Sequence, residues 1–116
     1  NIVDKVCNAF IANNQITKIG YKENLGEPDK KTVGEFIGLA KFSKKAITDF
    51  LKIYLELEKS HNGKFHESLS VKEGIITDML QEFIDRNYRL NPIFVSGKWC
   101  EIDTIDDLKN ARILFQ

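Results

Sequence analysis

EFIGLAKF, residues 35–42, decides how this chain is read. Between Glu35 and Lys41 the run is almost continuously apolar. Such runs fit an interior strand covered on both faces, because a half-solvated strand would alternate apolar with polar residues. Ser43 follows and can cap a helix. Behind it Ile47, Phe50, Leu51, Tyr54 and Leu55 recur at helical spacing and predict the buried stripe of that helix. A buried strand leading into an amphipathic helix predicts an α/β fold, with helices packed on a sheet.

Upstream, residues 2–12 alternate loosely and predict a strand. Asn13 and Asn14 supply turn chemistry, and residues 15–22 predict the second arm of a hairpin. Residues 23–34 hold Pro28, two glycines and several charges, so they read as a long loop. Downstream, residues 61–70 read as another loop. SVKE at 70–73 has the form of a capping box, with a helix behind it that buries Ile75, Ile76, Met79, Leu80, Phe83 and Ile84. Asn91 and Pro92 interrupt the chain. Residues 93–97 predict a short strand, 98–102 another extended piece, and 105–115 the last helix. The strands are few for a doubly wound sheet, and the chain reads as half of one.

The chain has 116 residues, 42% of them hydrophobic and 29% charged, as expected of one soluble domain spanning 1–116. Seventeen basic residues balance 17 acidic ones. That balance argues against a dedicated nucleic-acid or membrane-surface binder, which needs a basic excess. No apolar run approaches the roughly 18 residues of a membrane span, and no signal-peptide pattern is visible. Asn1 in place of Met predicts a piece of a longer protein. Cys7 and Cys100 fit no metal-ligand spacing and read as free thiols of a reducing cytoplasm. His61 and His66 read as loop residues.

WCEIDTIDDL, residues 99–108, holds the main chemical signal. Thr104 is a good N-cap, Asp107 stands where a capping box needs an acid, and Asp106 and Asp107 favour the helix dipole. Glu101 and Asp103 are not explained by capping. On an extended strand they share a face with Trp99, and two converging carboxylates repel unless something positive lies between them. Magnesium takes one or two carboxylates and leaves its other positions to water and phosphates. A metal or substrate role and a solvated acidic strand end are both open on the residues alone.

GKWCEIDTIDDLKNA (97–111) resembles the carboxy-terminal signature of small nucleotidyltransferases, GEFIGLAKFS (34–43) resembles their acceptor-pocket strand, and ITDMLQEFIDRNYRLNPIFVSGKW (76–99) is similar to the helix and strand joining the two. The nearest likeness is to cytidylyltransferases acting on phosphocholine, 2-aminoethylphosphonate and related compounds, including domains fused to phosphoenolpyruvate mutases. The resemblance implies a partial Rossmann-like nucleotidyltransferase sheet whose amino-terminal nucleotide-binding half is absent. It implies Mg2+-dependent transfer of a nucleotidyl group from CTP, or another NTP, to a small phosphorylated acceptor, with release of pyrophosphate. It also implies Asp103 as catalytic metal ligand and Glu101 as the second ligand. This chain lacks the family's glycine-rich loop and its partner Asp, so alone it is expected neither to bind nucleotide well nor to catalyse.

Four further residues are candidates for substrate binding. Glu35 and Lys41 stand at the two ends of the apolar run. They read either as charges reaching solvent or as pocket walls, Glu35 toward a cationic head group and Lys41 toward a phosphate. Asp78 lies off the apolar stripe of its helix and reads as exposed, with the resemblance favouring a pocket role. Trp99 reads as core, or as a platform for a quaternary ammonium. A sugar-1-phosphate nucleotidyltransferase and a non-catalytic interaction domain with the same partial fold are the competing readings. An incomplete domain exposes a sheet edge, which predicts a homodimer or a swapped assembly.

Overall fold

The structure, a computed structural model, describes residues 6–28 and 32–116. Strand β1 (Cys7–Ala12) turns through Asn13 and Asn14 into β2 (Gln15–Tyr21), and the two pair antiparallel. Both asparagines have positive φ, 51° and 57°. That is the conformation a two-residue hairpin turn needs, and Asn tolerates it better than most residues. A single helical turn, α1 (Lys22–Leu25), follows. Strand β3 (Thr32–Glu35) then pairs antiparallel with the other side of β1, giving the order β2-β1-β3. The mixed α/β composition expected from the sequence is present, and the strand pairings described are antiparallel. Residues 2–5 of the first predicted strand and residues 29–31 of the loop predicted at 23–34 lie outside the described residues.

The reading of residues 35–42 as an interior strand is corrected. Ladder pairing ends at β3 with Glu35, and a last backbone bond joins Phe36 N–H to Cys7 C=O at 2.8 Å. Gly38 then adopts φ 84°, and residues 36–43 form an arch without strand pairing. The apolar run has a different cause from the one expected. Phe36 and Phe42 anchor the arch in the core, while Leu39 at its crown is exposed.

Helix α2 (Lys44–Ser60) starts where Ser43 predicts, with Ser43 Oγ accepting from Ala46 N–H at 3.1 Å. Its inner face differs from the predicted stripe. Ile53 and Leu57 are buried and Phe50 and Tyr54 pack beside them, whereas Ile47, Leu51 and Leu55 are exposed. The helix carries two apolar stripes, and only packing chooses between them.

Helix α3 (Ile76–Asp85) lies between α2 and the sheet. Met79 and Phe83 join Ile53, Leu57, Phe65 and Val71 on the α2 side. Leu80 meets Ala9 and Ile19 on the sheet side. Phe83 is the pivot, with its ring centroid 4.7 Å from Tyr88 and 5.8 Å from Phe50. Ile75 and Ile76 are exposed, because the helix begins later than SVKE suggested. Ser70 Oγ still accepts from Glu73 N–H, but that bond closes a turn ahead of the helix.

Residues 91–104 form no strand, against the two short ones expected, and Ile93, Phe94 and Val95 are exposed. Helix α4 (Ile105–Leu114) follows with its predicted cap and buries Ala111.

Candidate functional site

The arch at 36–43 and the segment after α3 enclose a cavity of about 550 Å3. That volume suits a small organic ligand. Its floor is apolar, built from Ala9, Ile19, Leu80 and Phe83. Glu35 and Lys41 both line it, one from each end of the arch. Neither side chain makes a hydrogen bond or ion pair among the described residues, and both residues are exposed. The apolar anchors Phe36 and Phe42 explain this placement, since they fix the arch and leave the charged ends outward.

The facing wall contains Arg89 and Asn91, which sequence reasoning missed. Tyr88 and Leu90 on either side of Arg89 are held inward. The Tyr88 hydroxyl donates to Asp49 Oδ2 at 2.9 Å, and Leu90 C=O accepts from Ile16 N–H at 2.9 Å. Arg89 and Asn91 are exposed, whereas Tyr88 and Leu90 pack against the core. Arg89 Nε donates to Asn91 Oδ1 at 2.9 Å, which orients the guanidinium and leaves its other N–H groups for a ligand. The signal in the sequence was a lone Arg between two residues the core needs.

Asp78 does not line this cavity, and the expectation that it is exposed is corrected. It is 1% exposed. Its Oδ1 accepts from Glu67 N–H at 3.0 Å, and its Oδ2 from Ser68 Oγ at 2.6 Å and Ile75 N–H at 2.9 Å. The carboxylate is spent on closing the loop before α3 and on capping that helix.

Trp99, Glu101 and Asp103 do not line the cavity either. Residues 99–103 form no strand, so the shared strand face expected for them is absent. Trp99 is 38% exposed and not the core residue expected. Asp107 Oδ2 accepts from Asp103 N–H, Thr104 N–H and Thr104 Oγ1 at 3.2, 2.8 and 2.7 Å, and Thr104 Oγ1 accepts from Asp107 N–H at 3.1 Å. The Thr104 hydroxyl, then the two backbone donors, hold the Asp107 carboxyl below its usual range. Asp107 is therefore consumed by the cap. The Glu101 and Asp103 carboxylates are exposed and carry no hydrogen bond or ion pair among the described residues.

His66, Glu82 and Asp85 bring ligand-type atoms within 4.8 Å of one another. Existing pairs account for this trio. His66 Nε2 lies 3.5 Å from Glu82 Oε2, Arg86 Nε lies 3.8 Å from Glu82 Oε1, and Gln81 Nε2 donates to Asp85 Oδ1. His66 is half-buried rather than a solvated loop residue.

No family model and no solved structure matches the chain. Among curated proteins, the chain is 25% identical over 99 residues to the CTP:phosphoglutamine cytidylyltransferase of Campylobacter jejuni. The match covers 85% of this chain and 37% of the relative. This chain thus spans little more than a third of the relative's length. The relationship is distant and cytidylyltransferase-like, and it points to no particular member. No described helix is long and apolar enough to cross a membrane.

Proposed function

We propose that this chain is the acceptor-binding part of a cytidylyltransferase domain. The match of 85% of its length to a cytidylyltransferase carries that reading. In the reaction an acceptor phosphate or phosphonate oxygen attacks the α-phosphorus of CTP, the new P–O bond forms, and pyrophosphate leaves. Nucleotide-binding groups come from protein outside these 116 residues, and the three strands belong to a larger Rossmann-like sheet.

The cavity takes the acceptor. Lys41 and Arg89 hold its phosphate, Glu35 faces an ammonium or amide at its other end, and the apolar floor packs against its carbon chain. Fixing that oxygen removes orientational freedom that a free encounter would have to lose on the way to the transition state. Glu101 and Asp103 are exposed hard-oxygen donors that make no ion pair among the described residues, a donor set that fits Mg2+. They would hold the ion, with Asp103 as principal ligand, and Mg2+ when bound supplies charge neutralisation on the phosphates.

Chemical-shift titration of the chain with phosphoglutamine and with phosphocholine tests the cavity. Binding shifts the resonances of Glu35, Lys41 and Arg89. Lys41→Ala weakens it about tenfold or more, the loss of one charge-assisted bond. A folded chain whose cavity resonances respond to neither compound contradicts the assignment.

A further inference from the structure

Three residues of the α2 stripe that the sequence predicted to be buried are on the surface. Ile47, Leu51 and Leu55 are 53%, 57% and 46% exposed. They sit four residues apart on a 17-residue helix and share one face at about 100° per residue. The apolar surface continues sideways. Tyr54, next to the stripe, lines a small cavity together with Ile75 and Ile76, both of which are exposed. Lone exposed apolar residues are ordinary, but a contiguous row flanked by polar ones marks a contact surface.

The charges at the two ends of the row say what fits it. Lys44 lies seven residues before Leu51 and Glu58 seven residues after it, on the same face. The row is therefore symmetric about Leu51 in shape and antisymmetric in charge. A second α2 laid antiparallel on it puts Ile47 against Leu55 of the other copy and Leu51 against its own equivalent. Lys44 then meets Glu58 at both ends. In the single chain, Glu58 has an exposed contact with Lys72 at 3.6 Å, a weak pairing that costs little to exchange.

We propose that this face is where two copies of the chain pair, α2 against antiparallel α2, about a two-fold axis passing beside Leu51. Such an interface is isologous, so each residue pair occurs twice and closes the assembly at a dimer. Antiparallel helices with an apolar seam and charged ends pack in this way in helical bundles. The contact lies on a face of α2 beside its core face and away from Ala46, which lines the cavity, so it leaves the cavity open.

Light scattering over about a hundredfold range of chain concentration, combined with charge exchange, tests this. The chain forms a dimer whose dissociation constant rises at least about a hundredfold in Leu51→Glu, which places two carboxylates on the axis. Lys44→Glu and Glu58→Lys each weaken it about tenfold, and the two together restore it. Both charge changes favour the dipole of α2, so loss of the dimer cannot be attributed to loss of the helix. A chain that stays monomeric at about 0.5 mM, a dimer indifferent to Leu51→Glu, or no recovery in the double variant overturns the proposal.

Discussion

Replacing Asp78 by Ala is the sharpest test of what holds the middle of this fold. Its carboxylate is 1% exposed and receives the Glu67 and Ile75 backbone N–H groups and the Ser68 hydroxyl. Hydrogen bonds to a charged group contribute about 1.5–3 kcal/mol each, and a buried donor left unpaired costs about 1–3 kcal/mol. Three donors lose their acceptor at once, while water entering the space and a rotating hydroxyl recover part of the loss. The expected destabilisation is about 4 kcal/mol, a large share of the roughly 5–15 kcal/mol of a domain. Asp78→Asn keeps one oxygen but turns an NH2 toward a donor, so about 2 kcal/mol is expected. Urea unfolding followed by circular dichroism measures both. A loss below about 1 kcal/mol for Asp78→Ala would show that the loop at 67–75 does not depend on this carboxylate.

Gly20 has no room for a side chain. A Cβ there would lie 2.5 Å from Glu67 Oε1, and Glu67 is held in place by Tyr21 N–H and Asn24 Nδ2. Gly20→Ala should cost about 1–3 kcal/mol in the same unfolding experiment, and a neutral result would mean Glu67 moves freely. Asp107 gives a pH dependence of definite sign. Its folded pKa is depressed by the Thr104 hydroxyl and the Asp103 and Thr104 N–H groups. Its contribution to α4 is therefore complete at neutral pH and is lost as pH falls through the usual carboxylate range and the lower folded value. Amide exchange at the start of α4, followed from about pH 6 to about pH 2, should show that loss, and Asp107→Asn should abolish it. Equal acid sensitivity in both proteins would refute this role.

The parts of the structure that were legible in sequence are those fixed by near neighbours. Asn13 and Asn14 set the hairpin, Ser43 starts α2, and Thr104 with Asp107 starts α4, because each bond spans only a few residues. What failed depended on distant packing. α2 has two apolar stripes, and Phe65, Val71 and Phe83 select the one at Ile53 and Leu57. Residues 35–42 looked like an interior strand, but Gly38 and the two anchoring phenylalanines make an arch. At the site, Glu35 and Lys41 stood out as charges in an apolar run, and the structure puts both on the cavity. Arg89 was hidden because its placement depends on Tyr88 and Leu90 being pulled inward. Asp78 was misread because two of its three donors, Glu67 and Ser68, belong to a preceding loop.

The cytidylyltransferase reading is tested most directly by pyrophosphate release. The full-length protein that contains this chain should release pyrophosphate from CTP when Mg2+ and a phosphorylated amine or amide are both present. Asp103→Ala should abolish turnover, and Lys41→Ala should raise the KM for the acceptor more than it lowers kcat. A folded full-length protein that releases no pyrophosphate with any such acceptor, or that turns over unchanged with Asp103→Ala, contradicts the account.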